Sequence, residues 1–120
     1  MKIKLAKKEI IHFIGIGGIG MSGLSLIMKG QGFKVQGSDI SSNKNIDRLK
    51  KEKIKIFLGQ SKKNLKDATI VVISSAIKNN NAELIEAKRK KIPIIRRGKM
   101  LASIVSLMKN IVVVGSHGKT

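Results

Sequence analysis

The 120-residue chain has no cysteine, no tryptophan and no tyrosine, and a single proline. Without cysteine there is neither a disulfide framework nor a thiolate metal site, a composition that fits a reducing, cytoplasmic compartment. Acids are scarce as well: 7 Asp and Glu stand against 25 Lys and Arg, a formal net charge of +18. No apolar run approaches the ~20 residues that a membrane span needs. The basic stretch Met1–Glu9 is followed by an apolar segment that a glycine loop interrupts, so it does not read as a secretion signal.

The shortage of aromatics restrains the reading of the charge. A basic surface invites nucleic acid, but gripping bases calls for rings on which they can stack. There are three Phe, of which Phe13 and Phe57 lie in apparent strands, and the lysines are scattered, clustering only at Lys50-Lys51, Lys62-Lys63 and Lys88 to Lys91. The charge is therefore read as a solvated surface that attracts anionic ligands, with no specific nucleic acid and no membrane as partner. At 42% hydrophobic, the chain is long enough for one domain with a core.

Along the chain, apolar runs alternate with helical periodicity. Ile10–Ile14 reads as a buried strand, and Met21–Gln31 as a helix with Met21, Leu24, Ile27 and Met28 on one face, stopped by Gly30 and Gly32. A strand at Phe33–Ser38, a helix over Asn45–Lys53 and a strand at Ile54–Leu58 follow. The run Thr69–Ser74 is rich in β-branched residues, as in a parallel strand covered on both faces. Asn80 with Glu83 resembles a capping box opening a helix to about Lys91, which Pro93 stops. Strand five is Ile94–Arg96, and Met100, Leu101, Ile104, Val105 and Met108 then recur at helical spacing. Units of strand and helix in series, without hairpin signals, predict an α/β fold: a Rossmann-like, doubly wound sheet of about five parallel strands with helices on both faces. Asn110–Val114 reads as a sixth strand belonging to another domain. Residues 1–109 then form the first domain, and residues 110–120 the first strand and phosphate loop of a truncated second one.

Two glycine-rich turns carry the chemistry. Gly15-Ile16-Gly17-Gly18-Ile19-Gly20 follows strand one, opens the first helix and satisfies G-x-G-x-x-G. In that setting the first glycine makes the tight turn, the second admits a pyrophosphate and the third allows close helix–strand packing. Asp39 lies 19 positions after Gly20, where dinucleotide-binding folds place an acid on a ribose hydroxyl, so this half alone reads as an NAD-binding domain. Ser38-Asp39 and Ser74-Ser75-Ala76 should meet the loop at the carboxyl ends of the strands. The second turn, Gly115-Ser116-His117-Gly118-Lys119-Thr120, reads as an ATP-phosphate loop, with Lys119 at the terminal phosphates and the Thr120 hydroxyl on Mg²⁺. A dehydrogenase has no use for it. The strict form of that pattern would have glycine in place of Val113. His12, in a strand, is read as a satisfied core histidine, and His117 as a residue set by loop shape.

Together with Ile11 to Met21, Gly37-Ser38-Asp39-Ile40, Ser74-Ser75-Ala76-Ile77-Lys78 and Ile92 to Arg97, these two loops resemble the Mur ligases, which attach amino acids to UDP-linked muramic acid in peptidoglycan synthesis. The resemblance runs from about Ile10 to Thr120 and departs at Ser116, where the family usually has Thr. It implies a three-domain, ATP-dependent, amide-forming ligase whose first domain holds the UDP part of UDP-N-acetylmuramate. L-alanine is the implied amino acid, with ATP and Mg²⁺ held by the central domain. By the same resemblance, backbone N–H groups of Gly15, Gly17, Gly18 and Gly20 grip the pyrophosphate, and Ser38 and Asp39 meet ribose or uracil. Ser74, Ser75 and Ala76 line the other side. Arg97 faces the sugar acid or its phosphates, or else makes a surface salt bridge. ATP phosphorylates the muramoyl carboxylate, the alanine amine attacks the acyl phosphate, and Lys119 acts as the catalytic cation that offsets charge on the transferred group. The two further domains are the implied partners, and the 120 residues alone are expected to lack ligase and ATPase activity. A related murein-peptide ligase and an NAD-binding domain are the alternatives.

Overall fold

The computed structural model describes residues 5–116, with side chains as far as residue 108. The chain builds β1 (Ile10–Ile14), α1 (Ile19–Gly30), β2 (Lys34–Asp39), α2 (Lys44–Lys51), β3 (Lys55–Leu58), a 3-10 turn (Lys62–Leu65), β4 (Ile70–Ile73), α3 (Ala82–Arg89), β5 (Ile94–Arg96) and α4 (Arg97–Ser116). The strands are all parallel, in the order β3-β2-β1-β4-β5. From β1 the chain builds outward through β2 and β3, then returns to β4 on the other side of β1. The order thus reverses between β1 and β4, and in such sheets a crevice opens at the carboxyl ends of the strands where it does.

Successive side chains of a strand face opposite ways, which divides the core in two. Ile11 and Phe13 of β1 pack with Met21, Leu24 and Met28 of α1, Ile46 and Leu49 of α2, and Met100 and Ile104 of α4. Ile14, Val71 and Ile73 pack on the opposite face against Leu65, Leu84 and Ala87. Among the described residues, α3 and the 3-10 turn cover that second face. It is also where His12, Gln36 and Ser38 fall, since the β1–β2 register sets His12 beside Gln36 and Ile14 beside Ser38.

Three helices end in one hydrogen-bonding pattern, and only the first has the residue that suits it. After α1, α2 and α3 the closing N–H groups are those of Gly32 and Phe33, Lys53 and Ile54, and Lys91 and Ile92; each pair reaches back to the last helical turn. The pattern needs a left-handed residue at its first position. Gly32 takes φ +93°, but Lys53 and Lys91 take φ 63° and 59° with side chains that oppose it. We predict that Lys53→Gly and Lys91→Gly each stabilise the fold by about 0.5–1 kcal/mol. Urea unfolding at constant m-value is the measurement, and a loss of stability in both variants is the contrary result.

Several expectations shift. No α-helix follows β3, only the 3-10 turn. Ile27, expected on the apolar face of α1, is 40% exposed. The cap of α3 is Asn81, not Asn80: its Oδ1 accepts the N–H groups of Glu83 and Leu84. The Glu83 side chain does not reach back to the cap as a capping box requires. The sixth strand is the largest correction, because α4 runs through 110–114 to Ser116. A strand must borrow its hydrogen bonds from a neighbour, whereas a helix supplies its own. Among the described residues no strand lies beside that segment.

Candidate functional site

The glycine loop is pinned from beneath. Gly15 turns at φ +78°, a left-handed conformation natural to glycine. Its N–H and that of Ile16 both donate to the Ser38 carbonyl, at 2.8 and 2.9 Å. Ile16 is buried, and its side chain fills the space above Gly37: a Cβ there would lie 2.5 Å from Ile16 Cδ1 and 2.8 Å from the Phe13 carbonyl oxygen. Gly37 is thus obligatory, though the sequence pointed to it only through the family motif.

The expected donors to a pyrophosphate are largely occupied. Besides Gly15 and Ile16, the Gly17 N–H donates to Asp39 Oδ2 at 2.8 Å, and the Gly18 N–H to the Gly15 carbonyl at 3.1 Å. Asn45 Nδ2 further fixes the Gly17 carbonyl at 3.0 Å. What remains open is the first turn of α1. Its cap position is Gly18, which supplies no side-chain hydrogen bond, and the turn carries no acid. Helix starts leave N–H groups without internal partners and concentrate positive potential, which together suit an anion.

The three glycines after Gly15 differ in why they lack a side chain. A Cβ on Gly17 would meet Asp39 Oδ2 at 2.7 Å and Ile46 Cδ1 at 3.0 Å. On Gly20 it would lie 2.8 Å from Arg97 Cδ and 2.9 Å from Arg97 Nε, so this glycine makes room for an arginine at the start of α4 rather than for a strand. On Gly18 it would make only ordinary contacts, the nearest at 3.4 Å. Among the described residues nothing crowds Gly18.

The remaining expected residues surround two clefts. One, of about 390 Å³, is lined by Gly15, Asp39, Ala76 and Lys78 together with the amide side chains of Gln60 and Asn81. The other, of about 380 Å³, holds Ser74, Ser75, Arg96, Arg97 and Lys99. The segment Ser74-Ser75-Ala76 therefore divides between them. One cleft is rich in amides and the other in cations, with α1's open first turn beside Arg97. Arg97 forms no salt bridge among the described residues, where the ion pairs are His12–Glu83 and Arg89–Glu86.

Ser38 takes a different part from the one expected. It is fully buried, and its hydroxyl donates to Glu83 Oε1 at 2.6 Å rather than facing a ligand. The same carboxylate oxygen contacts His12 Nε2 at 2.6 Å, while Oε2 accepts from the Ser61 N–H at 3.0 Å and Asn64 Nδ2 at 2.7 Å. Gln36 Nε2 lies 2.8 Å from His12 Nδ1 and donates to the Asn64 carbonyl at 3.0 Å. That carbonyl holds the Gln36 amide with its NH₂ toward His12, so Nδ1 accepts and Nε2 donates to Glu83. His12 is thus the satisfied core histidine its strand position suggested. Sequence reasoning missed Glu83, Gln60, Asn64 and Asn81. The available signal was three polar residues, His12, Gln36 and Ser38, on one face of two buried strands, which demand a buried partner.

Gly115 and Ser116 lie at the end of α4. His117, Gly118, Lys119 and Thr120 lie outside the described residues.

Residues 10–109 match the family described as Mur ligase family, catalytic domain. The chain belongs to the Mur ligase family. Among its relatives, the UDP-N-acetylmuramate–L-alanine ligase of Pelagibacter ubique is 75% identical over all of this chain, which spans 26% of that protein. The ligase of the same name from Aquifex aeolicus is 57% identical over 91% of the chain and 24% of its own length. The crystal structure of UDP-N-acetylmuramate-alanine ligase MurC from Thermotoga maritima superposes with a TM-score of 0.73 at 35% identity, covering 83% of this chain and 23% of that one. The chain therefore spans about a quarter of the Mur ligases it matches. Among the described residues no helix is long and apolar enough to cross a membrane.

Proposed function

We propose that this domain holds the UDP part of UDP-N-acetylmuramate in a cytoplasmic enzyme that joins L-alanine to that sugar nucleotide. The 75% identity to the Pelagibacter ubique ligase over the whole chain is the observation that carries this reading. The site's chemistry agrees with it. The uncapped first turn of α1 and Arg97 offer donors to a pyrophosphate. In the neighbouring cleft Gln60, whose Oε1 already accepts from Asn81, can turn its NH₂ group to an acceptor of a nucleobase, and Asp39 borders both loop and cleft. ATP, with Mg²⁺, would supply the phosphoryl group that activates the muramoyl carboxylate. The assignment of Gly115 to Thr120, with Lys119 as catalytic cation and Thr120 on the metal, rests on the sequence pattern, as does the division at residue 109.

The domain should be stabilised by UDP-N-acetylmuramate and by UDP but not by NAD. At a ligand concentration of 100 times Kd, binding to the folded state alone adds ~2.7 kcal/mol, a rise in Tm of roughly 10 °C for a domain of this size. A thermal scan against the three ligands tests it. A larger shift with NAD than with UDP overturns the reading. A second reading, a murein-peptide ligase, draws on the likeness to the ligase for UDP-N-acetylmuramate and a tripeptide from Neisseria meningitides, at TM-score 0.69 and 29% identity.

A further inference from the structure

Glu83 is buried, and the floor of the glycine loop, the Ser61–Asn64 segment and the start of α3 are tied together at it. Its Oε1 accepts from Ser38, whose carbonyl pins the glycine loop through the N–H groups of Gly15 and Ile16. Its Oε2 accepts from the Ser61 N–H and from Asn64. Its own N–H is held by Asn81, whose Nδ2 donates to Gln60 Oε1 at 2.7 Å. One carboxylate thus joins the floor of the loop to the segment bearing Gln60 and to the start of α3.

We propose that Glu83 is a positioning residue of the ligand site: its four-donor carboxylate sets the height of the glycine loop and, through the Ser61 N–H and Asn64, the placement of the adjoining Gln60, and so the site's affinity for a nucleoside-diphosphate sugar. The affinity part rests on the UDP-sugar reading above; the loop-setting part does not. Glutamine has the shape of glutamate but cannot replace it here. Each oxygen of Glu83 faces two donors, and whichever way the new amide turns, its NH₂ is set against a pair of N–H or O–H groups. The conflict is relieved by moving Ser38 or the Ser61–Asn64 segment, and Ser38 carries the loop with it.

The test uses Glu83→Gln and, as a milder break that keeps the carboxylate, Ser38→Ala. Met28→Ala, in the core near the far end of α1, is the control for lost stability alone. Two readouts are taken on the 120-residue chain well below each variant's Tm. Amide NMR reads the shifts and hydrogen exchange of Gly15 and Ile16, and calorimetry reads the Kd for UDP-N-acetylmuramate. Both site variants are expected to move those two amides, speed their exchange and raise Kd about tenfold, the factor that goes with the net worth of one hydrogen bond. Met28→Ala should lower Tm while leaving Kd and both amides unchanged. Unmoved amides in the site variants overturn the proposal, as does a Kd that follows Tm alike in all three. If the wild type binds no UDP sugar, the functional reading fails, and the amides of Gly15 and Ile16 still decide whether Glu83 sets the loop. Should Glu83→Gln not fold, Ser38→Ala carries both readouts.

Discussion

Gly17→Val is expected to abolish the UDP-induced rise in Tm while leaving the sheet folded. A Cβ at this position falls 2.7 Å from Asp39 Oδ2 and 3.0 Å from Ile46 Cδ1, and valine adds two methyl groups beyond it. The contact with Ile46 involves the far end of a flexible side chain. The contact with Asp39 does not yield so easily, because that carboxylate is held at both oxygens, by the N–H of Gly17 and of Ile40. The loop must lift, and it lies directly before the open turn of α1, where the phosphates are proposed to sit. A loss of more than about a hundredfold in affinity, ~3 kcal/mol, follows if that turn is displaced. Asp39→Ala separates two roles for the acid. If Asp39 meets the nucleoside, its removal weakens UDP binding by ~1–3 kcal/mol. If its work is only to occupy the Gly17 N–H in the free protein, removal leaves affinity unchanged or improves it. Titration calorimetry on both variants gives the answer, and full UDP binding by Gly17→Val would defeat the placement of the phosphates.

The sheet was legible because its signals are local. Runs such as Ile70–Ile73 declare buried parallel strands, Pro93 limits a helix, and a glycine loop between strand and helix marks the carboxyl end where the chain turns. Glycine patterns say where a side chain is absent, but not what takes its place. Gly17 was read as space for phosphate, yet it gives way first to Asp39 and Ile46; Gly20 was read as helix–strand packing and makes room for Arg97. Ser38 looked like a ligand contact because it precedes Asp39 at a strand end. The period-two rule could have set it beside His12 and Gln36 on a buried face, where its hydroxyl needs an internal acceptor. Glu83 was hidden by a local pattern: an Asn three residues before it suggested a capping box, but the true cap is Asn81 and the carboxylate bonds to residues as far as 71 positions away. The segment 110–114 shows the converse limit. Its β-branched run carries strand propensity, but propensity yields where no neighbouring strand offers hydrogen bonds.

Glu83→Ala is expected to cost about 3–5 kcal/mol, a large part of the ~5–15 kcal/mol that holds a domain of this kind together. Truncation strands four donors at once: His12 Nε2, the Ser38 hydroxyl, the Ser61 N–H and Asn64 Nδ2. The pH dependence distinguishes this from loss of packing. Burial alone would raise the Glu83 carboxyl, but the hydrogen bonds it accepts from His12, Ser38 and Asn64 outweigh it and hold the group below its ordinary value of 4.5. The folded state therefore releases this proton more readily than the unfolded chain, which binds more protons through the acid range. Stability from Glu83 is present above about 4.5 and lost as pH falls through the lower folded value. Wild-type protein should lose stability on acidification through that window, and Glu83→Ala should lose less, so the gap between them narrows as pH falls. Urea unfolding of both proteins from neutral pH down through the window measures it. A gap that stays constant across that range would mean that the carboxylate's ionisation contributes nothing and that the cost of the substitution is the cavity and the stranded donors alone.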